Sequence, residues 1–409
     1  MPIITLKDFR NALITSLWFM FLTFPLLVIK VNTTENLVVW RWHNLFYVGA
    51  ASLLASLVAS VYRHYRDRKH EQQRHLEEQS KISLTERFFE TPAINRPVFA
   101  AGALFFLIFP LLFSTYQVNI MTTALMYVVL GLGLNIVVGV AGLLNLGYVA
   151  FYAVGAYTYA LLNMHFGVGF WVALPIGGIM AALFGILLGF PVLRLRGDYL
   201  AIVTLGVGEI ILLVLKNWAE FSQGPGGISN ISRPGLFGLD MGMESALSYQ
   251  YYLTIAMVVL TIFVINRLQN SRIGRALFAL REDEIACQAM GIDKTTTKLT
   301  AFALGATWAG LAGVLFAAKN AYINPDSFTF LESAMILCIV VLGGMGSIVG
   351  VIIGALVLIL LPEYLRAFSD YRMLAFGAIL VIMMVFRPQG IVANIRRTYH
   401  KKEWKDSAA

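Results

Sequence analysis

One carboxylate lies deep in an apolar run: Glu209, within LAIVTLGVGEIILLVLK. Counted from Asp198, it sits about 16 Å along a helix rising 1.5 Å per residue, near the middle of a hydrocarbon core. An ionisable group at that depth must be paired, neutralised or wetted. Two readings stay open: a polar contact on a translocation path, or a structural carboxylate held by a neighbouring helix. Glu332 and Lys319 fall near the outer ends of their runs, where their side chains can snorkel to water. Ion-coupled transport needs titratable groups along the spans, and these are scarce here. The chain has no Gly-Lys pair, so it lacks the G-x-x-x-x-G-K-[ST] loop that cradles nucleotide phosphates and cannot itself be an ATPase. Six histidines without ligand spacing, two cysteines (Cys287 and Cys338) and no nucleophile motif leave no expected catalytic residue, metal site or disulfide.

The second informative stretch is 131–155, where Gly131, Gly133, Gly139, Gly142, Gly147 and Gly155 alternate with Asn135, Asn145, Tyr148 and Tyr152. Small residues let helices cross closely, and a helix broken at glycine can present backbone groups to a cavity. Path lining by Asn135, Asn145, Tyr148 and Tyr152 is one reading; tight packing alone is the other. Residues 136–142 are echoed faintly by 339–346, where Gly343, Gly344 and Gly346 precede Ser347. Transporter folds are often built from such repeats.

The third is the loop from Arg267 to Lys298, long for a helix connection. Within it Leu277, Leu280, Glu284, Ala286 and Met290 suggest a short helix with small and apolar residues on one side. Arg281, Glu282 and Asp283 are expected to be exposed, and Gly291 to end the helix. Such a helix could dock into a groove on a partner or simply lie on the membrane or on other loops.

Apolar helices must position these residues. The 409 residues are 58% hydrophobic and 13% charged, with mean hydropathy +0.73, against about 25% charged in a soluble domain. The composition predicts an all-α, polytopic membrane protein with about ten to twelve transmembrane helices, some glycine-broken or re-entrant. The candidate spans are 11–29, 44–62, 98–114, 120–140, 147–163, 169–190, 199–216, 250–266, 299–317, 330–345, 347–361 and 373–386. The first is too long for a signal-peptide core and lacks a small-residue cleavage site. Residues 1–97 read as an extension of two spans and a charged linker, 98–390 as the glycine-rich body, and 391–409 as a basic tail. With twelve spans, the basic segments 63–97 and 267–298 and the tail share one side, while 217–249 lies opposite with few basic residues. Positively charged loops stay inside, so both termini are expected to be cytoplasmic. That topology also accounts for the net charge of +8 without invoking nucleic acid.

Several strings carry a family resemblance: GRALFALREDEIACQAMGI (274–292), KLTAFALGATWAGLAGVLFA (298–317), LGLGLNIVVGVAGLLNLGYVAFYAVGAY (130–157), FPVLRLRGDYLAIVTLGVGEI (190–210), GGISNI (226–231), SFTFLESAMILCIVVLGGMGS (327–347) and FRPQG (386–390). Over about 98–390 the chain resembles the M-type permease subunit of bacterial branched-chain amino acid ABC importers, and its two-span extension is similar too. The resemblance implies a second, H-type permease subunit, two ATP-binding cassette subunits carrying ATP and Mg, and a periplasmic amino-acid-binding protein, all serving a bacterial inner membrane. It implies leucine, isoleucine and valine as cargo; a urea or short-chain amide permease and an ion-coupled transporter are the alternatives. It makes 274–292 the coupling segment, with Arg275, Arg281, Glu282, Asp283, Glu284 and Gly291 as candidate contacts to the ATPase. The family's E-A-A-x-x-x-G spacing is loose here, since Glu284 is followed by Ile285 and Ala286 and lies seven residues before Gly291.

Overall fold

The computed structural model describes residues 105–192, 195, 197–235, 243–365, 372–387 and 390–392, with scattered positions ahead of them. The chain divides into two compact units, Met1–Glu90 and Thr91–Ala409. In the first, β1 (Ile29–Asn32) pairs antiparallel with β2 (Leu37–Trp40), with Ile29 opposite Trp40. The spans expected at 11–29 and 44–62, the linker 63–97 and the tail 391–409 lie almost wholly outside the described residues.

The second unit is helical: α1 (Thr115–Asn135), α2 (Tyr148–Phe166), α3 (Phe170–Val192), α4 (Asp198–Asn217), α5 (Met243–Gln269), α6 (Arg272–Glu282), α7 (Glu284–Ala289), α8 (Lys294–Asn320), α9 (Phe330–Gly343), α10 (Ile348–Tyr364) and α11 (Arg372–Phe386). Leaving aside α6 and α7, these occupy the spans expected from residue 120 onward. Among the described residues, six helical stretches are long and apolar enough to cross a membrane, and α10 is a shorter apolar helix. The protein is an all-α, polytopic membrane protein.

α1 is the hub. It runs on through a π-helical turn, Ile136–Val140, and 89% of its apolar window is buried, against 28% for α4 at the periphery. Lipid tails are as apolar as leucine, so close van der Waals contact rather than apolar burial holds such helices together. Glycine supplies that contact between α2, α3 and α8. A Cβ on Gly155 would lie 2.2 Å from the carbonyl oxygen of Gly310, and one on Gly310 2.4 Å from the Ala181 methyl.

The two ends of the bundle are built differently. At one end β3 (Ile228–Ser229) pairs antiparallel with β4 (Tyr322–Ile323), Lys216 bridges Asp326 at 2.7 Å, and Tyr159 Oη donates to the Ser232 carbonyl. Lys319 and Glu332 lie there too, near the ends of their helices as expected, and each also has a partner. Lys319 donates to the Asn119 carbonyl and Thr123 Oγ1, and Glu332 accepts from Tyr127 Oη, so both clasp α1. At the other end lie α6, α7, the turn between α9 and α10, and residues 390–392, whose Ile391 and Val392 amides donate to the Leu342 and Gly343 carbonyls.

Candidate functional site

The site starts from a defect in the helical ladder. Ala141 N–H donates to Ile136 O and Leu143 N–H to Val137 O, a wider spacing than the α-helical one. The chain then runs non-helically through 141–147 before α2 begins. Ala141, Leu143, Asn145 and Gly147 of this break are buried. Buried irregular backbone must find partners, and side chains supply them. Leu146 N–H donates to Thr204 Oγ1 at 3.1 Å, Gly147 N–H to Asn145 Oδ1 at 3.1 Å, and Val149 N–H to Ser333 Oγ at 2.9 Å. Gly147 packs on Thr204 and Gly208, half-way along α4, so α2 starts inside the bundle rather than at its end.

A second break, Gly344 to Ser347, separates α9 from α10. Gly344 (φ +114°) and Gly346 (φ +88°) adopt backbone that side-chain-bearing residues avoid. The breaks meet: Gly346 N–H donates to Asn135 Oδ1 at 2.8 Å. A Cβ on Gly139 would lie 1.9 Å from the same oxygen, so only glycine lets the strands of this knot approach. The two echoed sequence segments are thus neighbours in space.

Asn135, Asn145 and Tyr148 gather at the first break. Asn135 and Asn145 are buried, and among the described residues the Nδ2 of each has no hydrogen-bond partner. Tyr148 is fully buried and donates to the Gly305 carbonyl of α8 at 3.0 Å. Tyr152, one turn further on, is buried against Phe316 and Phe328, with ring centroids 5.3 and 5.2 Å away. Glu209 is elsewhere. It is half-buried on the shoulder of an exposed apolar stripe of α4 (Tyr199, Ile202, Ile210, Leu213) and, among the described residues, has no hydrogen bond or ion pair. A Cβ on Gly206, within that stripe, would meet nothing within 4 Å. A cavity of about 380 Å³ lies at the far end of α1 beside Tyr116, Met121, Leu360 and Glu363, away from the breaks.

The loop 267–298 differs from the single short helix expected. Asp283 is extended (φ −160°) and splits it into α6 and α7, accepting from the Ile285 and Ala286 amides as N-cap of α7. Arg281, expected to be exposed, is half-buried and donates from Nη1 to the Gly139 carbonyl of the first break. Glu284 bridges Lys298 of α8 at 2.6 Å, and the Lys298 side chain is only 3% exposed. Met290, expected on the apolar side, is 81% exposed. Leu277 and Leu280 are buried as expected, and Gly291 (φ +82°) ends the segment. Arg275 and Glu282 are exposed, and Arg275 donates to the Asn270 carbonyl. The outward surface of α7 and its C-cap is therefore mostly apolar, Ile285, Ala286, Ala289 and Met290, with Gln288 among them. Sequence reading passed over Gln269, whose Nε2 donates to the Gly346 carbonyl at 3.2 Å, and Thr204 and Ser333, which satisfy the first break. A lone glutamine at a helix end carries no pattern that would single it out.

A family model described as the permease component of branched-chain amino acid transport systems matches residues 116–386. The high-affinity branched-chain amino acid transport system permease protein LivM of Escherichia coli K12 is 51% identical over 307 residues, 70% of this chain and 72% of that protein. LivH of the same strain, also named as a permease of that system, is 26% identical over 69% of this chain and 96% of its own length. The autoinducer 2 import system permease LsrC of E. coli O9:H4 is 27% identical over 58% of this chain and 70% of its own length. No solved structure matches.

Proposed function

The chain belongs to the permease-component family of branched-chain amino acid transport systems, and from that membership we propose that it is the M-type conducting subunit of an importer for leucine, isoleucine and valine. The observation that carries this reading is the 51% identity to LivM. LivH, named for the same transport system, and an autoinducer permease are similar at much lower identity, 26% and 27%. A urea or amide cargo, or coupling to an ion gradient, has no comparable support.

In this reading the protein is a multi-pass protein of the bacterial inner membrane, with α6 and α7 on the cytoplasmic side and both termini there. Energy comes from two ATP-binding cassette subunits, which hold ATP and Mg; a second, H-type permease completes the passage and a periplasmic binding protein delivers the amino acid. The apolar outward surface of α7 fits a groove on the ATPase, because apolar contacts desolvate on docking without stranding charge. When the ATPase pair closes on ATP, α6 and α7 are displaced and the two helix breaks rearrange, exposing the passage first to one side and then to the other. Glu209 and the Asn135, Asn145 and Tyr148 cluster would then offer weak, reversible contacts to a zwitterion, while the binding protein supplies selectivity.

The test is reconstitution in liposomes. The full assembly with binding protein should accumulate leucine only with ATP inside, and excess urea or acetamide should not compete; the chain alone should accumulate nothing under an ion gradient. Accumulation by the lone chain would overturn the reading. Ile285→Asp with Met290→Asp should strip the ATPase subunits from the purified assembly.

A further inference from the structure

The segment that would receive the ATPase stroke is hydrogen-bonded into both helix breaks at once. The break at 136–147 leaves the Gly139 carbonyl without its α-helical donor, because that donor, Leu143 N–H, bonds to Val137 O instead. Arg281 of α6 takes the place of the lost donor, its Nη1 bonding to Gly139 O. The stem of Arg281 lies against Gly142 so closely that a Cβ there would come within 2.7 Å of Arg281 Cγ. On the other side Gln269, the last residue of α5, holds the Gly346 carbonyl of the second break. The breaks are tied to each other by the bond from Gly346 N–H to Asn135 Oδ1. Asn135 lies one turn before Gly139, so the contacts close into a loop: α6, first break, second break, α5, and back to α6 through Ser271.

We propose that Arg281 and Gln269 are positioning residues for transport, a two-armed latch that makes the helix breaks at 136–147 and 344–347 move together whenever the coupling segment moves. This rests on the reading of the chain as an ATP-driven permease. A guanidinium suits the task. It stays charged, presents donors in a rigid fork, and gives a carbonyl in apolar surroundings a stronger bond than a neutral donor would. The glutamine arm is the weaker of the two, being neutral. The sequence made Arg281 a candidate ATPase contact; the geometry gives its guanidinium a partner within its own chain.

The experiment uses the whole reconstituted assembly and reads three quantities: ATPase subunits retained on purification, ATP hydrolysed, and leucine accumulated per ATP. Arg281→Met keeps the stem and removes the donors. It should leave ATPase binding intact and hydrolysis nearly unchanged, while leucine accumulated per ATP falls about tenfold, the worth of one charge-assisted hydrogen bond. Arg281→Lys, which keeps one charged donor, should recover a substantial part. Gln269→Leu should uncouple less, and the double variant should be no worse than Arg281→Met, because both arms act on one tied unit. Loss of the ATPase subunits in Arg281→Met would make Arg281 a docking contact and overturn the latch. So would equal loss of hydrolysis and uptake with no rescue by lysine, or an unchanged ratio in both single variants. Absence of ATP-dependent leucine uptake in the unmodified assembly would instead sink the functional reading beneath it.

Discussion

Of the charged side chains in the loop 267–298, Arg281 and Glu284 turn towards their own chain, while Asp283 stays exposed as expected. Arg281 repairs a carbonyl, Asp283 caps α7, and Glu284 meets Lys298. Periodicity marks which residues share a helix face, but cannot say which face meets the body when a kink intervenes, and Asp283 supplies that kink. The Glu284 and Lys298 pair allows an asymmetric expectation. Lys298 is 3% exposed and Glu284 19%, so removing the carboxylate strands the more buried charge. Glu284→Gln should therefore cost about 3–5 kcal/mol, visible as a lowered midpoint in thermal unfolding of the detergent-solubilised protein. Lys298→Met, which leaves the wetter partner behind, should cost clearly less. Equal costs would show that the pair is solvated.

At the scale of elements, the interrupted pairs α1 with α2 and α9 with α10 are the unusual components. α10, at 17 residues, reaches about 25 Å, short of a hydrocarbon core of about 30 Å. The irregular backbone between such pieces is tolerable only where protein buries it, and Thr204, Ser333 and Asn145 do so for the first break. α4 links this break to the outside: Thr204 and Gly208 touch it, while Glu209 borders the exposed stripe. Because Glu209 has no bond within the described residues, Glu209→Leu should leave thermal stability within about 0.5 kcal/mol. If the carboxylate faces the passage, leucine uptake should fall all the same. A large stability loss would instead identify Glu209 as a structural lock.

For the whole molecule, exposed apolar faces on α3, α4 and α5 need a covering of lipid or protein. α3 and α5 expose Leu183, Leu187, Leu260 and Phe263, with no ionisable residue in mid-span. These faces suit lipid, whereas a carboxylate beside the stripe on α4 makes lipid a costly neighbour there. Nitroxides placed at Leu183 and Phe263 in the assembled importer should thus be relaxed more by membrane-dissolved oxygen than by a water-soluble nickel chelate. One at Ile202 should be shielded from oxygen by the second permease. Oxygen exposure at Ile202 equal to that at Leu183 would place lipid on α4.

The apolar runs by themselves determined that this chain is an all-α membrane protein and where its spans fall after residue 120. Those properties are local: segment length and composition are complete in the order of residues. Glycine spacing likewise marked 131–155 and 343–347 as weak points, since a residue without a side chain loosens its own backbone. What the tertiary structure decided is which weak points meet and what holds them. The bonds from Arg281 to Gly139 and from Asn135 to Gly346 span 142 and 211 positions along the chain, and such pairings depend on how helices stack in three dimensions. The inward turn of Arg281 and the outward turn of Met290 have the same cause: the carbonyl left open by the first break lies within reach of α6 only after α1, α6 and α8 have packed.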